Sequence, residues 1–396
     1  MQTVSPASTR RYYLDWLRVF AIIAVFFFHN ARFYDSFTDW HIKNAATNVG
    51  ATVLVAAMNP WMMPLFFFIA GAGTYYALRN RTAGQYIGER ALRLLIPLVF
   101  GMLVVVVPQA YFQALSHGEL PAGYNFFQIY GLYLTTLPEF NTFHLWFLAY
   151  LFVFSIVTLP VLVRMGKEGK SVVSRLAEAF DRPWALVLLL VVPLAVADAF
   201  LYPGGFWGSR SASGGWSVIA YVEFFIFGYL VFANQRIMEW IGRIGWFALA
   251  GAVVTAAFLL TVFFDHLVEA EAHYGTSMYV AAMTVEALNT WCFLLAILAL
   301  GKGVLNANTR FLAYANEAVL PFYILHQTVI ISVGYYVVQW SAGVGIKYLV
   351  ISTTSFVVIM ALYEIIRRLS FLRFVFGMRV NKARPREVAQ GARQPG

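Results

Sequence analysis

The sequence predicts an all-α polytopic integral membrane protein with about ten transmembrane helices and both termini in the cytoplasm, and three observations carry that prediction. Of the 396 residues, 60% are hydrophobic and 17% aromatic, while only 12% are charged; a soluble domain carries roughly 25% charged residues. Apolar stretches recur along the chain at about the twenty-residue length that crosses a bilayer, and they are continuous. The alternation of an outer-membrane barrel is missing, so the spans are helices that satisfy their own backbone hydrogen bonds. Lys and Arg, finally, segregate between alternate loops.

The predicted spans run over 14–34, 53–78, 92–113, 143–163, 184–201, 216–233, 244–264, 278–300, 311–339 and 346–366. An even number puts both termini on one side. With Arg10, Arg11 and Arg18 on that side, 24 of the 28 Lys and Arg residues share it, and only Arg32, Lys43, Arg210 and Lys347 face away. The positive-inside rule makes the shared side cytoplasmic, in the inner membrane. The same partition accounts for the net charge of +9 as topology, not nucleic-acid binding. A lone cysteine, Cys292, excludes an intrachain disulfide framework or a cysteine metal site, and no metal or prosthetic group is expected. The chain reads as a polar leader over 1–11, one membrane domain over 12–370 and a basic tail over 371–396 that is suited to anionic lipid.

In chain order, the first span has no cleavage site ahead of it and is retained as an anchor. It carries Arg18 and His29, eleven residues apart. At 100° and 1.5 Å per residue the two side chains share a face roughly 16 Å apart, with a cation near one surface and an imidazole near the other. Asp15, three residues before Arg18, is placed to hold the guanidinium. An outer loop, Asp35 to Thr52, brings Asp39, Trp40 and His41. In the second span Pro60 and Pro64 bend the helix, and the small residues of Phe66-Phe67-Phe68-Ile69-Ala70-Gly71-Ala72-Gly73 let a neighbour approach.

The loop from Arg79 to Arg93 holds four arginines; Arg90 and Arg93, three apart, are expected on one helix face. Paired guanidinium groups there suit a phosphate-bearing ligand arriving from the cytosol. The outer segment Leu115 to Asn141 is rich in Tyr and Phe, which anchor at interfaces and equally suit a sugar-binding surface. The fourth span opens on Thr142-Phe143-His144-Leu145-Trp146, which puts His144 near the outer surface. A charged linker follows over 164–182, a glycine-rich outer loop over 203–215, and an outer loop over 265–277 with Asp265, His266, Glu269, Glu271 and His273, read as solvated rather than metal-binding. Asp198, Glu223, Glu286, Glu317 and His326 lie within spans, where ionisable groups cost about 2.5–3.5 kcal/mol each and turn toward the bundle interior. His326 joins His29 and His144 in the outer half, and His144, Trp146, Glu286 and His326 are the acceptor-side candidates.

A neutral histidine is a natural base for activating a hydroxyl, because its ordinary pKa lies near working pH. His29 stands out through its register with Arg18 and Asp15. Tyr12-Tyr13-Leu14-Asp15-Trp16-Leu17-Arg18 through His29, Arg90-Ala91-Leu92-Arg93, His144-Leu145-Trp146-Phe147-Leu148 and Pro321 to Gln327 together resemble the acyltransferase family 3 membrane proteins, and within them the glucan biosynthesis protein C branch. The resemblance spans residue 12 to about 380. It implies O-acyl transfer, acetyl or succinyl, from cytoplasmic acyl-CoA as co-substrate to a hydroxyl of an extracytoplasmic glycan. It also implies His29 as the base or proton carrier, with Arg18, Arg90 and Arg93 contacting the coenzyme or its acyl chain. Many members carry Ser-Gly where this chain has Ala70-Gly71, so any role of that hydroxyl is absent here. The alternatives are a transporter or flippase for a glycan or lipid-linked sugar, which would use intramembrane ionisable groups for proton coupling, and an envelope scaffold that would tolerate loss of His29 and Arg18.

Overall fold

The computed structural model describes residues 11–37, 40–120, 123–135, 142–168, 183–205 and 215–379. The expected glycine-rich loop with Arg210, most of the charged linker, Asp39 and the tail beyond 379 lie outside these. The described residues are helical, without a strand. In chain order the helices are α1 (Tyr12–Ala31), α2 (Val49–Met58), α3 (Met62–Leu78), α4 (Ala83–Val105), α5 (Val107–His117), α6 (Phe126–Thr135), α7 (Phe143–Val157), α8 (Leu159–Glu168), α9 (Pro183–Phe200), α10 (Val218–Ala233), α11 (Gln235–Thr261), α12 (Phe264–Val268), α13 (Ala270–His273), α14 (Ser277–Val304), α15 (Arg310–Val337), α16 (Val344–Ile366) and α17 (Ser370–Val375).

Each of the ten predicted spans falls on helix, but ten crossings is more than length and hydropathy support. Six helical stretches are long and apolar enough, α1, Val49–Leu78, α11, α14, α15 and α16, and the count reaches eight if each bent pair is one span. Those pairs are α4 with α5, bent by 42°, and α7 with α8, bent by 51°. Prolines explain the breaks, since Pro108 and Pro160 sit at the first turn of the second helix in each pair, where a missing N–H is tolerated but the preceding helix cannot run straight through. Leu188–Phe200 and Val218–Ala233 are shorter apolar helices.

α1 and α15 are the most buried of the membrane-length helices and pack on each other. α2, α3, α14 and α16 also touch α1, while α16, α4 and α5 touch α15. The outermost long helix, α11, presents Trp246, Phe247, Val253, Val254 and Phe258 outward, as a lipid-facing surface should. Side-chain caps close several helix starts, with Asn48, Thr82, Ser217, Thr276 and Thr309 each accepting from a backbone N–H of the first turn.

α4 is irregular. Ala91–Leu95 and Gly101–Val105 are both π-helical turns, each taking more residues per turn than the α-helix around it. α3 and α10 meet at backbone distance. A Cβ on Gly71 would lie 1.9 Å from the Phe225 carbonyl oxygen, and one on Gly228 would lie 2.0 Å from that of Phe68, so the two glycines face the opposite backbone reciprocally. The packing role expected of Gly71 is therefore present, with α10 as the partner.

The charged ends separate. At one end Trp16 Nε1 donates to Ala307 O, Lys302 to Met238 O, and Arg373 pairs with Glu317 at 2.8 Å. Glu317 belongs to this arginine-rich end. At the opposite end the cations that depart from the partition act as loop staples: Arg32 and Lys43 both reach the fully buried Asp35, at 3.0 and 3.2 Å, and Lys347 donates to Asn44 Oδ1 and Val338 O.

Gly71→Ala and Gly228→Ala should each destabilise the bundle by about 1–3 kcal/mol through overpacking. Gly84→Ala, where a Cβ meets nothing within 4 Å, should not. Thermal unfolding of the detergent-solubilised protein compares the three.

Candidate functional site

The site has two ends joined by α1, which runs unbroken from Tyr12 to Ala31 and carries Arg18 and His29. At the arginine-rich end Asp15, buried, holds Arg18 at 3.3 Å, as the spacing predicts. The Arg18 guanidinium lies over Gly73 of α3, where a Cβ would stand 3.2 Å from Nη2. On the next residue, Thr74 Oγ1 accepts from Arg90 Nη2 at 3.2 Å and shares a 2.9 Å hydrogen bond with the Tyr86 hydroxyl. Arg90 also covers the Tyr86 ring at 4.8 Å. Two guanidinium groups from different helices thus meet at adjacent residues of α3.

Arg93 does not share their face. The π turn over 91–95 carries it further round the axis than an α-helix would, and it lies 3.8 Å from Glu89, whose other oxygen holds Arg81 at 2.9 Å. The segment after α17 packs here too, since a Cβ on Gly377 would come within 2.9 Å of the Arg93 carbonyl. Arg18, Arg81, Arg90 and Arg93 with the single carboxylate Glu89 make this a cationic mouth.

At the other end, His29, His144 and His326 come together from α1, α7 and α15. His326 is the middle ring, with centroids 5.2 Å from His29 and 5.1 Å from His144. Backbone carbonyls fix two of the three tautomers, because a carbonyl only accepts. His326 Nδ1 donates to Tyr323 O at 2.6 Å, and His144 Nε2 donates to Ile324 O at 2.9 Å. The Tyr323 hydroxyl in turn donates to His144 O, clamping α7 to α15. His326 Nε2 and His144 Nδ1 are left as bare lone pairs, enclosed and without a partner. His29 Nδ1 is likewise enclosed and unpartnered, whereas the ring as a whole is only partly buried, which leaves Nε2 on its accessible side.

The loop after α1 folds back over this cluster. Trp40 stacks on His29 with centroids 5.9 Å apart and planes 12° apart, and packs edge-on to Phe33 at 4.9 Å. His41 Nδ1 meets Gln113 Oε1 at 2.5 Å, and its Nε2 meets the amide nitrogens of Gln327 at 2.7 Å and Gln109 at 3.2 Å. Burial pushes the His41 imidazole down to about 4; nearby Arg32 and His117 push the same way, and the Gln113 bond opposes them. Phe143 touches the His41 ring at 5.7 Å and precedes His144. Among the described residues it is the one non-glycine with positive φ, +45°, a conformation that costs about 1–3 kcal/mol and tends to mark functional turns.

Of the acceptor-side candidates, His144 and His326 are thus in the cluster. Trp146 starts the regular helix beyond His144 and packs on Tyr150 and Tyr221. Glu286, buried in α14, has no described contact with the imidazoles. His41, Gln109, Gln113 and Trp40 were not singled out by sequence reasoning, although two glutamines four apart in an apolar span are a signal of the same kind as the ionisable residues. No group of three or more His, Cys, Asp and Glu able to hold a metal occurs among the described residues.

The geometry separates polyanion binding at one mouth from proton acceptance at the other. Comparison with known proteins gives a family model, described as an acyltransferase domain, that matches residues 11–364. The chain is similar to "Glucans biosynthesis protein C" of Salmonella typhi, 23% identical over 384 residues, covering 94% of this chain and 96% of that protein. It is also similar to the protein of the same name from Escherichia coli (strain K12), 22% identical over 381 residues, covering 93% and 94%. No solved structure matches.

His41 supplies a pH test. Its folded-state pKa lies below the ordinary value near 6.5, so the unfolded chain binds its proton first as pH falls. Stability should be unaffected by this residue above pH about 7, decline as pH drops from about 6.5 toward 4, and level below that. Melting curves across this range should be flatter for His41→Gln than for the unmodified protein.

Proposed function

Because the chain belongs to the acyltransferase 3 family, we propose that it moves an acyl group, acetyl or succinyl, from cytoplasmic acyl-CoA to a hydroxyl of an extracytoplasmic glycan. The observation that carries the reading is α1 itself, one rigid helix that ends in a guanidinium cluster on one side and an imidazole cluster on the other, roughly 16 Å apart between Arg18 and His29. The names of the relatives support a glucan as acceptor.

In this reading the arginine-rich end faces the cytoplasm of the inner membrane and both termini lie there. Arg18, held by Asp15, and Arg90, held by Thr74, take the phosphates of the coenzyme, with Arg93 and Arg81 adding charge at the mouth. Such pairings favour guanidinium because its fork matches phosphate oxygens. The acyl thioester reaches toward the imidazoles, and the acceptor hydroxyl enters from the other side, beneath Trp40. His29 Nε2 removes the hydroxyl proton as the oxygen attacks the thioester carbonyl carbon. The new C–O bond forms, the C–S bond breaks, and the thiolate recovers the proton from the imidazolium, leaving ester and free coenzyme thiol. A neutral imidazole is needed at the start; the apolar surroundings of α1 and α15 favour that form.

Membranes containing the protein, incubated with labelled acetyl-CoA or succinyl-CoA and an envelope glycan extract, should transfer label to glycan. His29→Ala at matched expression should lower the rate by about 10²–10⁴-fold, the usual worth of a general base. Transfer that survives this substitution would remove His29 from the mechanism while leaving the enzyme class standing. Arg90→Ala should raise the KM for acyl-CoA about tenfold and leave that for the glycan unchanged, matching the loss of one charge-assisted bond.

A further inference from the structure

His326 has no role in the steps above, yet it is the most completely specified of the three imidazoles. It is fully buried, central to the cluster, and fixed in one tautomer. We infer that His326 is the positioning residue for His29: its Nε2 lone pair accepts a hydrogen bond from His29 Nδ1–H and thereby puts the free lone pair of His29 on Nε2, where the acceptor hydroxyl arrives. The inference rests on the acyl-transfer reading for its consequence, and on the geometry alone for the tautomer.

The argument is one of proton order. The Tyr323 carbonyl can only accept, so His326 must carry its proton on Nδ1, and Nε2 must be bare. His29 Nδ1 and His326 Nε2 are both enclosed and both without another partner. Ring centroids 5.2 Å apart leave roughly 3 Å between facing nitrogens, the length of one hydrogen bond. An acceptor facing His29 Nδ1 is matched when the proton of His29 lies there. The order then runs from Tyr323 C=O through His326 and His29 to the hydroxyl, each group donating toward the carbonyl.

Other neighbours do not supply this. His144 has no ring contact with His29 and uses its Nε2–H on Ile324 O, while the Nε2 of His41 already faces Gln109 and Gln327. Trp40 stacks on the face of His29, where it restricts the ring without selecting a nitrogen. The arrangement has the logic of a base oriented by a third group, with a backbone-anchored imidazole in the place usually taken by a carboxylate. Because that partner is neutral, it selects the tautomer without adding a second buried charge.

The test uses the full chain with 15N-labelled histidine in nanodiscs, with the His29 signals assigned by their loss in His29→Gln. In the unmodified protein His29 should show the Nδ1–H tautomer. His326→Leu should mix or reverse the tautomer and lower kcat about 10- to 100-fold, with the KM values for acyl-CoA and glycan within about twofold, as expected for losing part of a general base's contribution. His326→Gln offers an amide oxygen to His29 and an amide N–H to Tyr323 O, so it should restore most of both readouts. A His29 ring that carries its proton on Nε2 in the unmodified protein, or a folded His326→Leu protein with unchanged tautomer and kcat, overturns the inference. If His326→Leu does not fold, the tautomer of the unmodified protein decides. Should the unmodified protein transfer no acyl group to any glycan, the functional reading fails, while the tautomer still tests the hydrogen bond.

Discussion

The contact between α1 and α15 in the centre of the bundle is the constraint on which the rest of the structure depends. A crossing helix has a fixed rise and a fixed turn, so α1 sets both the separation and the relative orientation of Arg18 and His29. α15 then supplies, within one turn, two carbonyls that anchor imidazoles and the imidazole next to His29. Each of those carbonyls has a second lone pair beyond its helical bond, and without bulk water a buried N–H takes it. The histidine end is ordered by backbone groups, which a side-chain substitution cannot remove.

Elements whose cause is local were legible in the sequence. Continuous apolar runs gave helices, the eleven-residue interval put Arg18 and His29 at two ends of one of them, and the three-residue interval gave the Asp15–Arg18 pair. His144 and His326 were placed in the same half as His29, and the fold brings all three together. What could not be read depends on contacts distant in sequence. The fold-back that stacks Trp40 on His29 is held by Asp35 with Arg32 and Lys43, and the polar cradle around His41 comes from α5 and α15. Arg90 and Arg93 were assigned one face because a 3.6-residue period was assumed, and the π turn between them breaks that assumption. Glu317 and Glu286 show the limit of placing a residue within a span without knowing which neighbour it meets.

The cations at the histidine end show how a topological rule and a structural one coexist. Positive charge is disfavoured at the translocated end of a span, but Arg32, Lys43 and Lys347 each have a built partner in a buried carboxylate, an amide or a carbonyl. Buried charges persist where they are paired and hydrogen-bonded, and here that pairing shapes the loop over His29.

The two π turns of α4 bear on how the length of this chain can change. Each holds one residue more than an α-helix would need, so trimming either to regular helix would leave no backbone bond unmade and would still turn everything beyond it by about 100°. Arg93 stands between the start of the helix and the second of these turns, while Gln109 and Gln113 stand past both. A deletion that seems harmless by hydrogen-bond count would therefore rotate the glutamines off His41 while leaving the arginines in place. The spacing between cationic mouth and imidazole cradle is a property of helix count as much as of residue identity, and the chain's tolerance for gaps in this stretch is that of a gear rather than a cord.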